Sequence, residues 1–182
     1  YTNYKTILRF DEQGQAMWSQ PEPLIPQYRE LEVQYKMCEL GMIRNPEDQS
    51  IIAIARSQSH QDSSTIMISC DEGESWTKLR YLPNSLAGER HKLAYNKYTN
   101  NVMISFREII YDIDGRLLIN GQFDWIAGDW VMWVGTFADL LEGRQGEMRI
   151  RLKEDFTPSP KMGDTGYAGF VILNDGTCLL HS

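Results

Sequence analysis

Seven residues of types that can hold or move protons and bind polar ligands recur along the chain: Glu39, Arg56, Arg90, His91, Arg107, Asp164 and Tyr167. They are a scatter of carboxylate, guanidinium, imidazole and phenol. Their use depends on whether the fold brings them to one place. Each also has a purely structural use. Glu39 could pair with Arg56 across a hairpin, Tyr167 could bond a main-chain carbonyl, Arg107 beside Glu108 could be a solvated rim residue, and His91 could cap a strand. The question is which elements carry them and how those elements run.

The chain reads as many short strands. Candidates are YKTILRF (4–10), CELGMIR (38–44), SIIAIARS (50–57), STIMIS (64–69), TKLRYL (77–82), HKLAYN (91–96), NVMISFRE (101–108), RLLINGQF (116–123), DWVMWVGTF (129–137), GEMRIRLKED (146–155), GYAGFVIL (166–173) and TCLLHS (177–182). Between them lie NPEDQ, DEGES, NKYTN, DIDG and NDG, the turn chemistry of antiparallel hairpins. Strand 146–155 alternates Met148, Ile150 and Leu152 with Arg149, Arg151 and Lys153. Helical periodicity is confined to QYRELEVQYK (27–36) and a turn at FADLLEG (137–143). The fold class is all-β.

The strands repeat in units of about 40–50 residues, the length of a four-stranded propeller blade. The units are a half blade (1–36), a blade (37–83), a blade with a longer middle (88–156) and a half blade (163–182). In the first full unit, Ser69, Asp71, Gly73 and Trp76 stand at fixed offsets around a turn. Asp71 can accept main-chain N–H bonds within its turn, Gly73 permits positive φ and Trp76 is a large apolar plug. The motif therefore concerns shape. DEQGQAMW (11–18) is a degenerate version.

Antiparallel strands reverse direction, so residues that open a first strand and residues that close a second strand share one end of the sheet. Glu39, Arg90, His91 and Tyr167 stand at first-strand starts, with Asp164 just before. Arg56 and Arg107 stand at second-strand ends. The Ser–Asp–Gly–Trp turn falls at the other end.

IMISCDEGESW resembles the Asp-box (BNR repeat) of sialidase, or neuraminidase, propellers. CELGMIRNPEDQSIIAIARS is similar to the sialidase pattern of a Glu opening a blade and an Arg closing its second strand. GYAGFVILNDGTCLL resembles the closing sialidase segment, and GDWVMWVGTFADLLEGRQGEMRIRL resembles poorly characterised bacterial sialidase-like proteins. The resemblance implies a six-bladed propeller of which this chain supplies about three blades. It implies a retaining hydrolase of terminal anionic sugars. Tyr167 would be the nucleophile, Glu39 its base, and Arg56 and Arg107 two of three arginines on the sugar carboxylate. Arg90, His91 and Asp164 would line the substrate. Nothing before residue 38 matches the family's general-acid Asp or first arginine. The alternative is a propeller that binds glycans or proteins without catalysis.

Three blades do not close a ring. Either the chain is the C-terminal half of a longer protein, or two copies close one ring as a homodimer, the N-terminal half blade of one completing the C-terminal half blade of the other.

Composition narrows the partners. The 182 residues carry a formal net charge of −7 with no basic run, which argues against nucleic acid. No apolar stretch reaches the length of a membrane span, and the first residues do not resemble a signal peptide. Cys38, Cys70 and Cys178 are odd in number and read as buried free thiols, fitting a reducing, cytoplasmic setting. No cofactor or metal is expected. Asp112–Gly115 reads better as a hairpin turn than as half a calcium loop, and His60 with Asp62 lacks further ligands. Trp125, Trp130 and Trp133 read as packing residues.

Overall fold

A computed structural model describes residues 2–25, 37–58, 63–109, 119–120, 124–125, 127–154 and 167–181. Within them the molecule is antiparallel β-structure with one short α-helix, Phe137–Glu142. The helical pattern at 27–36, the turn at 112–115, His60, Asp62 and Asp164 lie outside the described residues.

The N-terminal segment is a hairpin in two rungs. Strands β1 (Tyr4–Lys5) and β4 (Glu22–Pro23) pair, as do β2 (Leu8–Phe10) and β3 (Ala16–Trp18). A first four-stranded sheet follows in the order β5 (Met37–Arg44), β6 (Ile51–Ser57), β7 (Thr65–Ser69), β8 (Thr77–Tyr81). The second runs β9 (Gly88–Asn96), β10 (Asn101–Ile109), β13 (Ala127–Gly135), β14 (Met148–Lys153). Its interruption contains a small pair, β11 (Ile119–Asn120) with β12 (Asp124–Trp125). The strand expected over 116–123 is thus no member of the second sheet: its described part, β11, pairs with β12 alone. A last hairpin joins β15 (Gly169–Ile172) to β16 (Cys178–His181).

β6 and β7 are continuous apolar runs because both faces of the first sheet are covered. One face presents Ile52, Ile54, Ile66 and Ile68. It packs against Val102, Ile104, Phe106, Val131 and Trp133 of the second sheet, with Phe137 and Leu140 of the helix. The other face presents Ala53, Ala55 and Met67, packed with Trp76, Met37, Leu24 and Ile25. The period of two thus sorts the β-branched isoleucines toward the neighbouring sheet, and Ala53, Ala55 and Met67 toward the N-terminal segment.

The two sheets approach closely along their first strands. A Cβ at Gly41 of β5 would run into the main-chain oxygen of His91 on β9. No larger residue fits there without separating the strands. β15 in turn packs against β9.

The Ser69–Trp76 turn forms as its residue types require. Asp71 Oδ1 accepts from Ser75 N at 2.8 Å, Gly73 N donates to Ser69 Oγ at 2.8 Å, and Gly73 has φ +84°. The Asp71 carboxyl is held down to about 2, chiefly by the Ser75 hydroxyl and main-chain N–H, then by Ser69. The degenerate turn repeats the logic: Asp11 Oδ1 accepts from Gln13 N at 2.9 Å and Gln15 N at 2.8 Å.

The cysteines are free, but none is fully buried. Cys70 is exposed because β7 ends at Ser69 and Cys70 already belongs to the turn. Among the described residues, no group of His, Cys, Asp and Glu could hold a metal ion. No helix among them is long and apolar enough to cross a membrane.

Candidate functional site

The end of the sheets opposite the Asp71 turn collects the polar residues. In the register of β5 and β6, Cys38 lies opposite Arg56; in that of β9 and β10, Glu89 lies opposite Arg107. The two hairpins are therefore equivalent, and the residue after each of these pairs is Glu39 in one and Arg90 in the other. Both sit at a register shift, and both are left-handed, with φ of 51° and 57°. A β-bulge re-aims one side chain out of the strand's alternation. Left-handed backbone on a non-glycine residue is strained and concentrates at functional positions.

The two re-aimed side chains meet on Tyr167. Its Oη lies 3.2 Å from Glu39 Oε1. The Arg90 guanidinium lies over its ring, Cζ 4.1 Å from the centroid. Tyr167 stands two residues before β15 and is 62% exposed. Residues far apart in sequence, from three separate hairpins, thus converge on one phenol.

Beneath them is an ion-pair network. Arg56 continues the Ile52–Ile54 face of β6, so it reaches toward the second sheet. Its Nε lies 3.2 Å from Glu39 Oε2 and its Nη1 lies 2.5 Å from Glu89 Oε1. Its Nη2 donates to Gln58 Oε1 at 2.8 Å, and its Nε to Cys38 Sγ at 3.0 Å. Arg107 takes the other Glu89 oxygen through Nε, at 3.1 Å, and Nη2. The Glu89 side chain is 0% exposed, that of Arg107 7% and that of Arg56 14%. Ion pairs with two guanidinium groups and directional N–H bonds offset the hydration that so buried a carboxylate loses. Burial pushes the Cys38 thiol up, against the pull of Arg56.

His91 is placed elsewhere. It is a core residue, 1% exposed, with its ring stacked on Phe106 at a 5.0 Å centroid separation. Nε2 is 3.0 Å from the Leu86 carbonyl oxygen, and Nδ1 has no hydrogen-bond partner among the described residues. Burial lowers its pKa to about 4, against the smaller opposing effects of the Leu86 carbonyl and Glu89. The neutral ring donates from Nε2, and it presents no face to a ligand. The sequence pattern groups it with Arg90 at a strand that starts at 91. β9 in fact begins at Gly88, and the bulge sends Arg90 outward and His91 into the core.

Sequence reasoning missed Glu89, the most buried charge of the site. The signal was available: aligning the two hairpins on Arg56 and Arg107 sets Glu89 at the Cys38 position.

No family model matches the sequence, and no curated protein matches it.

Proposed function

We propose that the chain carries the nucleophile half of a retaining glycosidase site for terminal anionic sugars, on a sialidase-type propeller. The observation that carries the reading is the Tyr167–Glu39 contact, built from two distant hairpins and supported by a strained bulge. The side-by-side packing of β5, β9 and β15 suits the inner strands of successive blades.

A phenol with a free pKa near 10 is a poor nucleophile at neutral pH and needs a base. Glu39 Oε1 is within reach of that proton, while Oε2 lies at ion-pair distance, 3.2 Å, from Arg56 Nε. As Tyr167 Oη bonds to the anomeric carbon, its proton passes to Glu39 and the glycosidic C–O bond breaks. The leaving oxygen takes a proton from an acid outside this cluster. Water then attacks the anomeric carbon and gives a proton to the conjugate base of that acid, while Glu39 returns its proton to the departing Tyr167 oxygen and frees the phenol. A neutral nucleophile suits an anionic sugar because it adds no repelling charge.

The test is hydrolysis of a fluorogenic sialoside by the intact protein, with intact-mass detection of an adduct from a fluorinated sialoside. Turnover and an adduct on Tyr167 are expected. Tyr167→Phe abolishes both, and Glu39→Gln lowers turnover by about 10²–10⁴-fold. Turnover insensitive to Tyr167→Phe would remove this mechanism.

A second reading, a glycan-binding propeller without catalysis, is favoured by one feature. Both carboxylates at the cluster, Glu39 and Glu89, are already ion-paired with Arg56. Sugar binding that survives with no turnover and no adduct in the unaltered protein supports it.

A further inference from the structure

Two sheets of the molecule have four strands, whereas β2–β3 and β15–β16 are hairpins of two. The hairpin β15–β16 holds the place of first and second strands. β15 packs against β9 as β9 packs against β5. Its turn is tied to the first turn of the second sheet: Asn96 Nδ2 donates to the Gly176 carbonyl at 3.0 Å, and Tyr98 Oη to that of Asn174. The hairpin β2–β3 holds the place of third and fourth strands. Its turn is built like the one between β7 and β8. In each, an aspartate Oδ1 accepts from the N–H four residues on, Gln15 for Asp11 and Ser75 for Asp71, both at 2.8 Å.

Each hairpin leaves apolar surface open where the other half of a sheet would lie. β15–β16 lies over the second sheet as far as β10, where Cys178 Sγ meets Met103 Sδ at 3.2 Å. On β14, Met148 and Ile150 stand in register with the buried Val134 and Met132, yet both are exposed, Met148 at 51%. Among the described residues β16 pairs with β15 alone, so its outer edge presents main-chain N–H and C=O groups. On the N-terminal hairpin, Lys5 turns to the first sheet, its Nζ 2.8 Å from the Gly73 carbonyl. Tyr4, on the opposite side of the strand, is exposed, as are Leu8, Phe10 and Trp18, the last at 62%. Exposed apolar rows of this kind mark interaction sites.

We propose that two copies of this chain close on each other about a twofold axis, the hairpin β2–β3 of each adding to β16 of the other. The joined sheet runs β15–β16–β2–β3, the same first-to-fourth order as β5–β6–β7–β8. The apolar face of β2–β3 then covers Met148 and Ile150 of the other copy. The occupant is a second copy because the half wanted at β16 and the hairpin β2–β3 match in strand number, turn type and apolar face. Within one copy the same joint would close three blades, below the four to eight of closed propellers, whereas two copies close six. The axis forms both joints at once, so neither edge is left open. The inference rests on the propeller repeat in the reading above and not on its chemistry, so absence of turnover leaves it standing.

Sedimentation equilibrium of the 182-residue chain is expected to give twice the chain mass. Two double variants test the joint: Phe10→Lys with Trp18→Lys on the hairpin, and Met148→Glu with Ile150→Glu on β14. All four side chains are exposed, so circular dichroism of each variant should match that of the unaltered chain. Each variant alone is expected to raise the dimer dissociation constant about 30-fold or more. An equimolar mixture of the two should recover the dimer, through one unaltered joint and one of opposite charge. A monomer at all concentrations, an open series of larger species, a dimer that withstands either variant, or a mixture that stays monomeric overturns the proposal. Hydrogen exchange of the unaltered protein needs no substitution. Raising the concentration through the dissociation range should protect β2, β3, β14 and β16, and protection confined to other segments overturns the proposal as well.

Discussion

At residue scale the site rests on two side chains that β-bulges send out of register, while their neighbour His91 is kept neutral by burial in the core. His91 follows Arg90 and points into the core, and its folded pKa of about 4 is below its unfolded value near 6.5. The unfolded chain therefore takes up the proton first. The contribution of His91 to stability is intact above about pH 6.5 and is lost as pH falls toward 4. A gap of that size between the folded and unfolded values corresponds to a loss of about 3 kcal/mol. Urea unfolding across this window should show the protein weakening with acid, and His91→Phe should flatten that part of the curve. An unchanged slope in the variant would place the titration in another group.

At element scale the strands follow from their side chains, and so do their turns. Trp76 closes the Asp71 turn and is 2% exposed among Leu24, Ile25, Met37, Ala53, Ala55 and Met67. It therefore fastens the N-terminal segment to the first sheet. Trp76→Ala should cost about 3–5 kcal/mol by denaturant unfolding. It should also raise hydrogen exchange in β1 to β4 more than in the second sheet.

Much of this level is legible in the sequence. β-branched runs and Asn, Asp and Gly turns locate β5 to β10, and FADLLEG locates the helix, where Thr136 and Asp139 form a capping box. The convergence of Glu39 and Tyr167 on one end follows from strand reversal alone. What is not legible turns on single-residue register. Whether Glu89, Arg90 or His91 faces the site depends on a bulge whose residue is not glycine, so no turn-forming type announces it. Cys70 departs from its expected burial for a similar reason, since one residue separates strand from turn.

At the scale of the whole molecule, the Glu89 carboxylate ties the two sheets together where their first strands converge. Arg56 belongs to β6 and Arg107 to β10, and β9 carries the carboxylate between them. Removing one partner of a buried ion pair leaves uncompensated charge. Glu89→Ala should therefore destabilise by about 3–5 kcal/mol, measured by denaturant unfolding. The loss should be cooperative over both sheets, visible as one transition by far-ultraviolet dichroism and tryptophan fluorescence. A loss confined to the second sheet would show that the network does not couple them.

The paired bulges have an evolutionary consequence. One hairpin places an acid and the other a base on the same kinked scaffold, so the identity of the side chain there is decoupled from the architecture beneath it. Glycine at either position would relax a cost of about 1–2 kcal/mol. A lineage released from ligand selection would drift toward glycine there, gaining robustness as its pocket fell silent.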